Sequence, residues 1–378
     1  MKSNQQKMIF AAGGGKGGVG KSIFSVALGC LFAKEGHRVV LVDLDLGAAN
    51  LHTYLGIIRE TPTIADFILR KVSALEEILL ETSQKNLKLI SGAKFVPGMA
   101  NPAHWMKLKI MRHVRSLPAD VIIVDLGAGV HFNTLDFFDM SNRGIVVTEA
   151  EPAAIMNAYS FIKGAFFRKL QHVFKKHAQI GPIIEAETKR TTEDTNFTLE
   201  WLTEQIKQLD PDMLPVIQEL EKDFRPALVV NRQPEGGQHV LVKNLILLCR
   251  QKLGLTVEHV GNLPDMREIS NYSLNIPKFM EIQRGALYLS SLKTIAGKLD
   301  EDTRTANGHS KTKTDFTDEE VETIIGFMEG LDDSVFGTTS KNAWKLRMYF
   351  NPSDVVDFLK SRGVTHALFF YSATKPFE

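Results

Sequence analysis

Gly13-Gly14-Gly15-Lys16-Gly17-Gly18-Val19-Gly20-Lys21-Ser22 sits directly between an apolar run, Met8 to Ala12, and a helical stretch from Lys21 to about Glu35 that Gly36 stops. Glycines accept backbone angles that a Cβ forbids, so consecutive N–H groups can converge on phosphate oxygens while the following helix presents its positive end. Gly15 to Ser22 has the spacing G-x-x-x-x-G-K-S. In that spacing Lys21 faces the β- and γ-phosphates, the Ser22 hydroxyl faces Mg²⁺, and Gly15, Lys16, Gly17, Gly18, Val19 and Gly20 form the cradle. A glycine-rich turn with no ligand is the bland alternative, and the strand–loop–helix context argues against it.

Working outward, short apolar runs recur at Val39 to Val42, Leu87 to Ile90, Val121 to Val124, Ile145 to Val147 and Ala227 to Val230, each separated by helical patterns. Runs of β-branched residues without polar alternation suit strands covered on both faces. The expected fold class is therefore α/β, a doubly wound, mostly parallel sheet with helices on both faces. From about 161 to 224 the rhythm gives way to a charge-rich helical insertion. One of its helices carries Arg168, Lys169, His172, Lys175, Lys176 and His177, read as a solvated outer face rather than a DNA or lipid site. The expected organisation is a nucleotide-binding domain over 1–299, a flexible linker over 300–315 and a small α/β unit over 316–378. The last begins with a capping-box pattern at Thr317 to Glu320.

Composition narrows the function classes. Among 378 residues, 45 Lys and Arg against 44 Asp and Glu leave a net charge of +1, so no global field draws the chain to nucleic acid or anionic lipid. Contact with DNA or membrane is possible but unsupported. The two cysteines, Cys30 and Cys249, lie in apolar stretches and not in metal-ligand spacing, which predicts buried thiols and no metal cluster. The apolar run near the N-terminus is too short for a signal sequence and no segment has the length of a membrane span. A cytoplasmic protein is expected.

Lys16, inside the loop, together with Lys21 resembles the two-lysine signature of the MinD/ParA group of deviant Walker A P-loop ATPases. Val42-Asp43-Leu44-Asp45-Leu46-Gly47-Ala48-Ala49-Asn50 is similar to the first switch of that family, and Val121 to Asp125 to its Walker B strand. Leu126-Gly127-Ala128-Gly129 resembles the second switch, with Leu126-Gly127 where a proline is common. Glu149-Ala150-Glu151-Pro152 is a variant of the family's Thr-x-Pro-Glu-Pro strand end. Within the family the likeness is strongest to FlhG-type flagellar-number regulators and MinD-like proteins.

The resemblance implies ATP and Mg²⁺ as ligands, with Ser22, Asp45 and Asp125 around the metal. Lys16, Lys21 and Asp45 would act in hydrolysis, and Asn231, Arg232, Pro264 and Asp265 would hold the base. It implies a homodimer in the ATP state, with Lys16 crossing to the other subunit and with Asp43, Asn50, Gly127 and Gly129 at the switch or dimer interface. An unidentified protein would read the closed form. Hydrolysis of ATP to ADP and phosphate is expected to be slow, because no glutamate follows Asp125. The few residues before Met8 leave a glutamine-bearing activating helix unsupported, and the sequence after Ala367 leaves a terminal membrane helix unsupported. Two other readings stay open: a nucleotide-holding scaffold with little turnover, and a small-molecule kinase or ligase of the same fold.

Overall fold

The computed structural model describes residues 7–92, 102, 104–189, 198–233 and 240–306. The unit expected at 316–378 lies outside the described residues. Eight strands form one sheet: β1 (Met8–Gly13), β2 (Val39–Leu44), β3 (Leu80–Glu81), β4 (Leu87–Ile90), β5 (Val121–Leu126), β6 (Arg143–Glu149), β7 (Ala227–Gln233) and β8 (Glu258–Pro264), in the order β3-β4-β2-β5-β1-β6-β7-β8. Every pairing is parallel except β3 with β4. The doubly wound, mostly parallel sheet expected from the apolar runs is thus present.

The helices are α1 (Lys21–Lys34), α2 (Leu51–Tyr54), α3 (Ile64–Ile68), α4 (His104–Ser116), α5 (Phe132–Asp139), α6 (Pro152–Phe174), α7 (Ile180–Lys189), α8 (Leu199–Leu209), α9 (Leu214–Asp223), α10 (Val240–Leu253), α11 (Ile276–Phe279) and α12 (Ala286–Ala306). Alternate strand residues feed two cores. On β1, Ile9 and Ala11 join the layer of α4, α5 and α6, whereas Met8, Phe10 and Ala12 join that of α1, α11 and α12. Burial on both faces is why these strands read as continuous apolar runs. Cys30 and Cys249 are buried free thiols, and burial pushes each up to about 12.

Three expectations change. Glu258–Pro264 carries no apolar run, yet it is the edge strand β8, with a bulge against β7, and the base-holding candidate Pro264 is its last residue. Residues 300–306 continue α12 instead of beginning a linker. Arg168, Lys169 and His172 are not a solvated face: they pair with Asp136 and Asp139 of α5. His177 likewise pairs with Asp210 at 2.9 Å and accepts the Ile180 N–H on Nδ1, joining α6, α7 and α8. The periodicity showed where charges cluster, but not that carboxylates from another element meet them. Among the described residues no helix is long and apolar enough to cross a membrane, and no cluster of His, Cys, Asp or Glu could hold a metal by itself.

Candidate functional site

Because β1, β2, β5, β6 and β7 run parallel, their C-terminal ends open on one edge of the sheet, and the crossover between β1's two neighbours, β5 and β6, leaves a crevice there. The loop 14–20 fills its floor. Gly18 and Gly20 have φ of 81° and 87°, the left-handed region that a side chain resists. Gly15 is required for a different reason: a Cβ there would lie 2.1 Å from the Asn157 carbonyl oxygen. Gly20 precedes α1 with no side-chain cap, so the first turn's N–H groups point into the crevice.

Around this cradle the polar groups converge. Ser22 Oγ donates to Asp125 Oδ2 at 2.6 Å, and Ser25 Oγ donates to Asp125 Oδ1 at 2.8 Å. Lys21, 7% exposed, donates to the Lys16 carbonyl at 3.4 Å. Burial pulls its ammonium below the usual lysine range, opposed by the charges of Asp125 and Asp45. Asp45 accepts the Ala48 N–H at 3.2 Å, and its Oδ1 would lie 3.1 Å from a Cβ on Gly127. The segment after β2 therefore closely approaches the segment after β5. Gly129 N–H is held by the Gly14 carbonyl at 3.1 Å, tying the loop after β5 to the phosphate cradle. A hydroxyl against a buried carboxylate, beside a buried ammonium, is a donor set that fits Mg²⁺ and a nucleoside polyphosphate.

The other candidate residues are tied into the fold. Asp43 is fully buried, and its oxygens accept the N–H groups of Asp45 at 3.2 Å and Leu51 at 3.0 Å. Its carboxylate thereby holds the start of α2. Asn50 is exposed beside it and donates to the Ala48 carbonyl at 2.6 Å. Asn231 is buried under the loop, its amide donating to the Val19 carbonyl at 2.9 Å and packing against Gly20. Arg232, at φ 50°, reaches Glu149 at 2.7 Å. Asp265 is exposed just past Pro264, and its N–H is held by the Gln233 carbonyl. Ser25 was missed, although its place four residues after Lys21 puts it on the same helix face, a spacing that could have shown it.

Asp43 and Asp125 are register partners on β2 and β5. Burial raises both carboxyls above the usual range. The charge of Asp125 adds to the effect at Asp43, while hydrogen bonds from Ser22 and Ser25 and the charge of Lys21 oppose it at Asp125. With both carboxyls raised, the folded pair of the free protein should hold a proton over a pH range in which the unfolded chain has lost it. Stability then declines as pH rises from the ordinary carboxylate range through the raised one, by about 1.4 kcal/mol for each tenfold difference in proton affinity between the folded and unfolded chain. Thermal melts of the free protein between pH 4.5 and 8 should show this slope, and Asp43→Asn should flatten it. Equal slopes for the two proteins would refute the assignment.

A family model, CobQ/CobB/MinD/ParA nucleotide binding domain, matches residues 10–275. Antiactivator FleN of Pseudomonas aeruginosa is 33% identical over 173 residues, 43% of this chain and 58% of the relative. Flagellum site-determining protein YlxH of Helicobacter pylori is 32% identical over 160 residues, 39% and 50% of the respective chains. Septum site-determining protein MinD of Thermotoga maritima is 34% identical over 145 residues, 38% and 53%. The matched stretch spans about half the length of these curated relatives. Among solved structures, MinD of Pyrococcus horikoshii complexed with Mg-ADP superposes with a TM-score of 0.51 at 17% identity, covering 80% of this chain and 99% of that one. A ParA family ATPase of Chlorobium tepidum gives 0.52 at 14%, covering 77% and 98%. The fold is the same as theirs, and the glycine loop, the segments after β2 and β5 and the strand-end carboxylates all fall inside the matched region: the chain belongs to the CobQ/CobB/MinD/ParA nucleotide-binding domain family.

Proposed function

We propose that the chain binds ATP with Mg²⁺, hydrolyses it slowly to ADP and phosphate, and acts in the cytoplasm as a nucleotide-dependent dimeric switch in spatial regulation. The process would be flagellar number and placement or division-site positioning, in line with the names of the flagellum site-determining YlxH and the septum site-determining MinD. The observation that carries the reading is the meeting of buried Lys21 and Asp125 with half-buried Ser22 at the mouth of a loop whose Gly18 and Gly20 are left-handed. Lys21 would neutralise the β- and γ-phosphates. Ser22 and Asp125, with Asp45 beside Gly127, would hold Mg²⁺, which supplies charge neutralisation when bound. Leu126 follows Asp125 where a carboxylate could orient water, so turnover relies on positioning and charge.

Lys16 supports the dimer. Its ammonium lies 3.4 Å from Glu151, but the two side chains are 39% and 62% exposed. A pair this solvated is worth only about 0–1 kcal/mol, so Lys16 can leave for the phosphates of a second subunit at little cost. Size-exclusion mass is the test, with Asp45→Ala used to block hydrolysis. With ATP and Mg²⁺ this variant should elute at twice its mass with ADP, and Lys16→Ala should bind ATP yet stay monomeric. An Asp45→Ala protein that binds ATP and remains monomeric refutes the trans-lysine reading. Phosphate appearing on an added small molecule instead of in solution would favour a kinase.

A further inference from the structure

Asp136 lies outside the crevice, one turn into α5, and is 4% exposed. Two cations and a histidine surround it. Lys107 of α4 donates to its carboxylate, Arg168 Nη2 donates to Oδ2 at 3.1 Å, and His172 Nε2 lies 3.3 Å from Oδ1. Burial alone would raise this carboxyl, but hydrogen bonds from His172 and Arg168 and the charges of Arg168 and Lys107 hold it well below the usual range. One turn on, Asp139 accepts from Lys169 at 3.0 Å, with both side chains mostly buried. The Arg168 guanidinium carbon also sits 4.6 Å from the centre of the Phe132 ring, at the first residue of α5. Helix α5 is thereby pinned to α6 along its length.

The pinned helix is continuous with the loop 127–131, whose Gly129 N–H already bonds the phosphate cradle at Gly14. Helix α6 meets the same cradle where Gly15 abuts Asn157. One rigid helix thus touches the phosphate loop at its start and holds α5 further along. A short loop between a fixed strand, β5, and a fixed helix has few conformations, and its N–H groups stay aimed at one place.

We propose that Asp136, acting through Arg168 and His172, is a positioning residue for the 127–131 loop, and that the preference for a nucleoside triphosphate over a diphosphate depends on this clamp. The inference rests on the nucleotide reading above. On that reading the 127–131 loop would meet the γ-phosphate and the 14–20 cradle the others, so a loosened α5 would weaken triphosphate binding and leave the diphosphate bound by the cradle.

The test is the ratio of dissociation constants for Mg-ADP and the non-hydrolysable Mg-adenylyl imidodiphosphate on the full chain. Asp136→Asn should weaken the triphosphate analogue about tenfold and ADP less than twofold, and Arg168→Gln should do the same. Arg168→Lys, which keeps the charge, should restore most of the ratio. A folded Asp136→Asn protein with an unchanged ratio overturns the proposal. If that variant does not fold, an unchanged ratio in Arg168→Gln and His172→Gln overturns it instead. A parallel loss of both affinities marks a merely structural role and also overturns it. A wild-type chain that binds neither nucleotide refutes the nucleotide reading itself.

Discussion

Lys21→Ala should abolish nucleotide binding while leaving the free protein as stable as before, or more so. The ammonium is 7% exposed, and the bond it makes, to the Lys16 carbonyl, is long at 3.4 Å. Burial that lowers its proton affinity marks a charge held where folding does not favour it. Removing it relieves that desolvation and loses the cation that would face the most highly charged part of the ligand. Truncating one partner of a buried, hydrogen-bonded charge pair costs about 2–5 kcal/mol in binding, roughly 30- to several-thousand-fold. Isothermal titration with Mg-ATP should therefore show affinity reduced at least about thirtyfold, and a thermal melt without nucleotide should show no loss of midpoint. A variant that binds ATP within tenfold of wild type would show that Lys21 is a buried structural lysine.

The second large effect is on stability. Phe161 of α6 is fully buried, meets Phe138 of α5 edge-on with ring centres 5.0 Å apart, and fills the space a side chain on Gly13 would need: a Cβ there would lie 2.4 Å from its Cζ. Truncating such a ring typically costs about 3–5 kcal/mol. For Phe161→Ala that corresponds to a fall in melting temperature of roughly 10 °C, at about 2–4 °C per kcal/mol in domains of this size. The cavity would open beneath the first glycine of the phosphate loop, so ATP affinity should fall as well. Phe32, buried on the opposite face of the sheet and stacked on Phe10, is the control. Phe32→Ala should lose comparable stability and keep its nucleotide affinity. Equal loss of binding in both variants would show that global destabilisation, and not the floor of the loop, is responsible.

Much of the fold was legible because a strand buried on both faces is apolar at consecutive positions, and β1, β2, β5, β6 and β7 each contain such a run, whereas β4 is broken by the half-exposed Lys88. Edge strand β8, half covered and bulged, had no such constraint and left no run to read. The site divides the same way. Lys21, Ser22 and the glycines are close in sequence and their spacing carries their chemistry, whereas Asp125 acquires its partners only by the parallel pairing of β5 with β1 and β2. Asn231 and Asp43 sit where the motif suggested but face inward, because the loop's carbonyl at Val19 and the N–H of Leu51 claim their polar atoms.

Gly13 to Ser22 alone showed that a glycine loop leads into a helix start, because glycine's backbone freedom and a helix N-terminus are local properties. The tertiary structure decided what surrounds it. It turned the charges of α6 from a solvent face into a clamp on Asp136, and it set Ser25 beside Ser22 on Asp125. Pairings between residues 29 to 103 positions apart depend on how helices pack across a sheet. Local periodicity encodes which face of an element is apolar, not which charge on another element will meet it.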